Sequence, residues 1–193
     1  PYKGYGSYGN GVIAYSGLSM NMGFPDKPPT GLAALYSDFS APYFGVSAMM
    51  AALYHRDRTG KGQFIDLSQS ETTINLLGTD IMEYTANGNM PPKPGNRSRN
   101  YCPHGAYPCA GEDRWCAIAV SNDEDWGRLC HAIGRPELAT DARFATDASR
   151  REHEDEIDEL ISTWTRQREA WDVMHTVQGQ GVMAGVVADL EDI

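Results

Sequence analysis

Small and apolar residues recur at helical spacing over residues 41–56, where Phe44, Ala48, Ala51, Ala52 and His55 share one face. The pattern predicts a helix there, with Pro42 in its first turn and Gly60 and Gly62 beyond its end. The small side chains on that face predict a close-packed neighbour. Arg56 and Arg58 fall near the end of this helix, where cations suit its dipole. Gln63-Phe-Ile-Asp-Leu-Ser68 then reads as a short strand. A second helix is predicted from Ser68 or Ser70 to Gly88, opened by the capping pattern Ser68-Gln-Ser-Glu71. Ahead of these elements, residues 1–31 carry Gly4, Gly6, Gly9, Gly11, Gly17 and Gly23, which break any long helix. Residues 12–22 are left to one short helix or strand, and residues 24–31 read as a surface loop.

The pattern changes at residues 89–111, which open with Met90-Pro-Pro-Lys-Pro-Gly95 and read as a linker followed by a polar run. Residues 114–120 then alternate as a buried strand, paired in a hairpin with the segment at Tyr107. Helices are predicted at about 123–133, 150–165 and 169–178, and a last strand at 185–188. Tyr107, Trp115 and Trp126 are expected to pack this lobe. The order of elements predicts an α/β fold in two parts, residues 1–89 and residues 90–193.

Charge sharpens the division. The chain of 193 residues carries a formal charge of −10. Residues 1–120 balance nine acids against nine bases, so the whole excess lies in residues 121–193, with 17 acids and 7 bases. This charge argues against nucleic acid as a partner, because binding a phosphate backbone needs a basic face, and an anionic membrane surface is disfavoured for the same reason. No apolar run reaches the roughly 20 residues that span a bilayer. The four cysteines, Cys102, Cys109, Cys116 and Cys130, include no C-x2-C pair, so no metal site is expected. With no secretory signal in view they read as reduced, buried thiols in the cytoplasm. Both ends look cut, as in a piece of a longer protein.

Among the polar residues, Asp38 stands out in Leu35-Tyr-Ser-Asp-Phe-Ser-Ala-Pro42, just ahead of a predicted helix start. Helix N-termini hold carboxylates ionised and oriented. Two readings follow: a solvated near-cap carboxylate, or a nucleophile for an activated acyl group. Arg97 and Arg99 fit a phosphate or carboxylate bidentately, or a surface ion pair. Lys61 sits in a Gly-Lys-Gly turn that lacks the phosphate-loop pattern. His55 and His104 read as structural, and the acidic run 152–159 as a solvated helix face.

The run from Asp38 through Gly45 to Ala51-Ala-Leu-Tyr-His-Arg-Asp-Arg-Thr-Gly-Lys-Gly-Gln63, with Asp66-Leu-Ser68 and Glu71, resembles the core signature of the family III CoA-transferases. Gly95-Asn-Arg97, Pro103-His-Gly-Ala-Tyr107, Asp141-Ala-Arg-Phe144 and Gly181-Val-Met-Ala-Gly-Val-Val187 extend the resemblance over nearly the whole chain. It implies a Rossmann-like large domain, of which residues 1–89 are part, followed by a small α/β domain. The implied reaction moves CoA from an acyl-CoA to a carboxylic acid through a covalent aspartyl intermediate. Asp38 matches the catalytic aspartate and Tyr8, in Ser7-Tyr-Gly-Asn10, an active-site tyrosine. Coenzyme A is then a substrate, with no permanently bound cofactor, and the interlocked homodimers of the family imply self-association. Residues 98–101 lack the glycine-rich loop of formyl-transferring relatives, which points away from a formyl donor or an oxalate acceptor. A methylacyl-CoA racemase-type proton exchange is the alternative chemistry, but residues 4–10 hold no histidine to pair with Asp38. A non-catalytic fragment or interaction module is the alternative of another class.

Overall fold

A computed structural model describes residues 8–31, 35–90 and 92–193. Gly4, Gly6 and Ser7 lie outside the described residues. The chain divides into two compact units, Pro1–Gly95 and Asn96–Ile193.

Among the described residues of the first unit, the regular elements are all helical. Helix α1 (Gly9–Tyr15) leads into a 3₁₀ turn, Leu18–Asn21, across Gly17 at φ 88°, a left-handed conformation open to glycine. Helix α2 (Tyr36–Thr59) is the long element, and Gly60 ends it at φ 69°. Helix α3 (Gln69–Ile74) follows, then a 3₁₀ turn at Asn75–Leu77 and helix α4 (Gly78–Asn87). Helices α1, α2 and α3 pack on one another. Gly9 permits the approach of α1 to the start of α2, because a Cβ there would lie 2.9 Å from the Leu35 side chain.

Three expectations for this unit are corrected. Helix α2 begins at Tyr36 rather than at residue 41, so Asp38 lies inside the first turn and Pro42 inside the helix. A proline there has no N–H for the carbonyl four residues back, which is that of Asp38. Residues 63–68 have no regular structure and join no ladder among the described residues; a strand needs a partner for its backbone groups. Residues 68–88 form two helices, not one, with the 3₁₀ turn between them.

Apolar burial in this unit is sparse. Among the described residues, only Val12 and Ile13 of the buried hydrophobics belong to it, whereas 21 of the 28 exposed large hydrophobics do. On α2 a half-buried stripe runs through Ala41, Phe44, Gly45, Ala48, Ala52 and His55; of the face read in the sequence, Ala51 is instead exposed. Leu67 lies against it, 3.5 Å from where a Gly45 Cβ would stand. The other faces of α2 expose Phe39, Tyr43, Val46, Met49, Met50 and Leu53.

The second unit holds its own core. Strands β1 (His104–Pro108), β2 (Trp115–Ala119) and β3 (Met183–Val186) form an antiparallel sheet in that order, with Tyr107 opposite Cys116 and Ile118 opposite Ala184. Alternation sends Cys116 and Ile118 into the core, as expected for a sheet covered on one face. Helices α5 (Asp123–Ala132), α7 (Glu154–Thr165) and α8 (Ala170–Gly179) supply Trp126, Leu129, Ile157, Ile161 and Val173 to the same core, and the short helix α6 (Asp147–Glu152) buries Arg150. The helix expected over 150–165 is interrupted at His153, and the last strand begins two residues earlier than expected. Trp115 is 37% exposed and bonds Asp113, so of the three aromatics named for this core only Tyr107 and Trp126 enter it. All four thiols are free and buried.

Candidate functional site

Asp38 is the third residue of α2 and is exposed. Its backbone N–H donates to the Leu35 carbonyl at 2.8 Å, and its position in the first turn suits a negative charge. Its Oδ1 accepts a hydrogen bond from the Gln69 side-chain amide. Ser37 Oγ lies 3.5 Å from the same oxygen and 3.4 Å from the Gly9 carbonyl, to which it donates. Ser37 is fully buried, so this hydroxyl links the start of α1 to the start of α2 beneath the carboxylate.

Gln69 owes its position to local chemistry. Ser68 caps α3, accepting the Glu71 N–H at 3.3 Å, which makes Gln69 the first helical residue. The Gln69 carbonyl accepts from the hydroxyls of Thr72 and Thr73, each at 2.9 Å. Thr73 is fully buried, so the backbone of Gln69 is held from below. The sequence carried the cap but gave no sign that residue 69 meets residue 38; only the packing of α3 on α2 brings them together.

Tyr8 stands at the N-terminal cap of α1, its side chain 89% exposed and its carbonyl accepting the Val12 N–H at 3.0 Å. The neighbouring Gly9 carbonyl is the group that Ser37 holds, which ties the backbone after Tyr8, rather than its side chain, to the start of α2. A shallow cleft of about 360 Å³ lies beside α2 and α3, lined by Phe44, Glu71, Thr72, Ile74 and Ile81.

The two arginines lie in the second unit. Arg97 is committed to carboxylates of α7: it pairs with Asp155, with Asp158 at 2.9 Å and with Glu154 at 3.5 Å. Burial works to lower its basicity, but the bonds from Asp155 and Asp158 and the charge of Glu154 win and raise it. Burial pushes the Glu154 carboxyl above its usual range against the attraction of Arg97. Tyr107 donates to Asp158 at 2.9 Å, so the acidic run is not only a solvated face. Arg99 is exposed in the same stretch. His104 bonds the Asn96 carbonyl through Nδ1 at 2.6 Å, a structural role. A larger cleft of about 570 Å³ in this unit, lined by Leu138, Leu160, Trp164 and Arg168, contains none of the candidate residues. Among the described residues no cluster of histidine, cysteine and acid side chains is arranged to hold a metal, and no helix is long and apolar enough to cross a membrane.

The family model of CoA-transferase family III matches residues 1–193. The succinyl-CoA–D-citramalate CoA-transferase of Chloroflexus aurantiacus is 36% identical over 96% of this chain and 46% of its own length. The acetyl-CoA:oxalate CoA-transferase of Acetobacter aceti is 33% identical over 100% of the chain and 49% of its own length. A crystal structure of a CAIB/BAIF family protein from Brucella suis superposes with a TM-score of 0.89 at 30% identity, covering 100% of this chain and 50% of that one. The chain thus spans about half the length of the relatives it matches.

Proposed function

The chain belongs to CoA-transferase family III, and from that premise we propose that the whole protein moves coenzyme A from an acyl-CoA to a carboxylic acid, with Asp38 as covalent nucleophile. The observation that carries this reading is the exposed Asp38 carboxylate in the first turn of α2, one oxygen held by Gln69. An ionised carboxylate needs no general base to attack a thioester. Tyr8, exposed at the start of α1, is assigned as a substrate contact. Arg97 is already neutralised by carboxylates, which argues for an anchoring role. Arg99 is retained as a contact for a CoA phosphate or an acceptor carboxylate, to be checked by the KM of Arg99→Ala.

The apolar surface of the first unit supports self-association. A large exposed apolar patch marks an interface, and the exposed faces of α2 are suited to the remaining half of the protein and to a second copy. We place the enzyme in the cytoplasm, where its buried thiols stay reduced.

The experiment is a transfer assay on the full-length protein, with succinyl-CoA or acetyl-CoA as donor and citramalate, glutarate or oxalate as acceptor. The expected result is CoA transfer to at least one acid and its loss in Asp38→Ala. Undiminished transfer by Asp38→Ala refutes the role of Asp38. Deuterium uptake from solvent at the acyl α-carbon without CoA exchange would instead establish racemase chemistry.

A further inference from the structure

We propose that Gln69 is the oxyanion donor for the steps that occur at the side-chain carbonyl of Asp38. The inference rests on the reading of Asp38 as nucleophile and adds a residue to it. Among the described residues, both side-chain contacts of Asp38 fall on Oδ1: the Gln69 amide and, more distantly, Ser37 Oγ at 3.5 Å. Oδ2 is left for bond formation.

The reaction then divides into two kinds of step. In the first, Oδ2 attacks the acyl carbonyl of the thioester. The C–S bond breaks, CoA thiolate leaves with the electron pair, and a mixed anhydride forms without proton transfer. Here charge develops on the acyl oxygen, and Gln69 serves only to orient the carboxylate. In the second, CoA thiolate attacks the Asp38 side-chain carbon. The C–O bond to the acyl group breaks, the donor acid leaves as a carboxylate, and an aspartyl-CoA thioester remains. During this attack the negative charge develops on Oδ1, the oxygen that already accepts the Gln69 N–H. The acceptor carboxylate then attacks the same carbon and expels CoA thiolate, with charge again on Oδ1. CoA thiolate finally attacks the acceptor carbonyl of the new anhydride and releases the Asp38 carboxylate.

A donor already aimed at an oxygen that gains charge costs no reorganisation at the moment of reaction. The backbone that carries this side chain is held in place. Ser68 caps the helix at its root and the Thr72 and Thr73 hydroxyls hold the Gln69 carbonyl. A side chain recruited only for packing would not need a donor at this atom.

The test uses full-length protein, acyl-CoA without acceptor, rapid quenching, and mass spectrometry of the peptide containing Asp38. Gln69→Ala and Gln69→Met are compared with wild type, Met keeping length and helix preference without the N–H. Removing one oxyanion donor is expected to slow appearance of the CoA adduct on Asp38 by about a hundredfold or more. The acyl anhydride, trapped with hydroxylamine, should accumulate ahead of it. KM for acyl-CoA should stay near wild type while kcat falls. If wild type forms the adduct and both variants form it at the wild-type rate, the role of Gln69 is overturned. If wild type forms no adduct on Asp38, the nucleophile reading fails and this inference with it. A variant that misfolds is recognised by loss of acyl-CoA binding, and the other variant decides.

Discussion

Arg150 is fully buried and donates three hydrogen bonds: Nε to the Cys102 carbonyl at 2.9 Å, Nη1 to the Phe144 carbonyl at 3.1 Å and Nη2 to Asp123 at 2.8 Å. Its guanidinium also lies 5.7 Å from the Trp126 ring centre. The side chain therefore joins the entry to β1, the start of α5 and the loop before α6. Arg150→Met fills much of the space but leaves two buried carbonyls without donors. Each orphaned acceptor costs about 1–3 kcal/mol. The Asp123 pair adds little, because its carboxylate is 58% exposed. Relief of the buried charge offsets part of the loss, so the expected cost is about 3–5 kcal/mol. Arg151, the next residue, is the control. It makes an i,i+4 pair with Asp147 and a bond to the Ser98 carbonyl at 3.1 Å, and its loss should cost about 1 kcal/mol. All four tryptophans, Trp115, Trp126, Trp164 and Trp171, lie in the second unit, so their emission reports that unit alone. In urea, with a slope of about 1–2 kcal/mol/M, Arg150→Met should move the tryptophan transition down by about 1.5 M or more. A cost below about 1 kcal/mol, or one equal to that of Arg151→Met, would refute the argument.

Three further outcomes follow from the same structure. Burial pushes the Cys102 and Cys130 thiols up to about 12 and Cys116 up to about 11, so the native protein should leave a thiol reagent unconsumed at pH 8 until it is unfolded; rapid labelling of the folded chain would contradict this. Arg97→Leu should cost about 1 kcal/mol, given its partial exposure, and Glu154→Gln in that background should recover part of it, because it removes one of the carboxylates left unpaired; an unchanged midpoint would show that the ion pairs do not anchor residue 97. The bond from Arg114 holds the Asp192 carboxyl well below the usual carboxylate range. Its stabilising effect is then present above the ordinary carboxylate value and lost as pH falls through the depressed one. Asp192→Asn should lower the tryptophan midpoint at pH 7, with the difference from wild type closing in strong acid; a difference that widened on acidification would refute the pairing.

The second unit was the more legible of the two in the sequence, since its core is closed by contacts within the unit. Strand alternation about Cys116 and Ile118, the acidic start of α5 and the turn at Gly134 all point the same way, and the sheet forms as those signals direct. Trp115 failed because hydrophobicity says which residues prefer burial, not which side of a strand faces the helices. In the first unit the local signals were sound but incomplete. Gly60 and Gly88 end their helices as expected, yet residues 63–68 have strand composition without a described partner. The start of α2 was missed because Pro42 was assigned to the first turn, its preferred site, when it lies within the helix. Asp38 could be singled out from its place near that helix. Gln69 could not, since it lies 31 residues away and is joined to Asp38 only by tertiary packing.

The covalent role of Asp38 is tested most directly by the path of an oxygen atom. The full-length protein, preloaded with CoA from an acyl-CoA, is given one turnover of an acceptor acid labelled with oxygen-18 in both carboxyl oxygens. An acceptor carboxylate that attacks the aspartyl thioester leaves one of its oxygens on Asp38 when the anhydride is resolved. The expected result is one oxygen-18 in the peptide containing Asp38, and none in the same peptide when labelled acid is added without acyl-CoA. Transfer of CoA with Asp38 unlabelled would contradict the account.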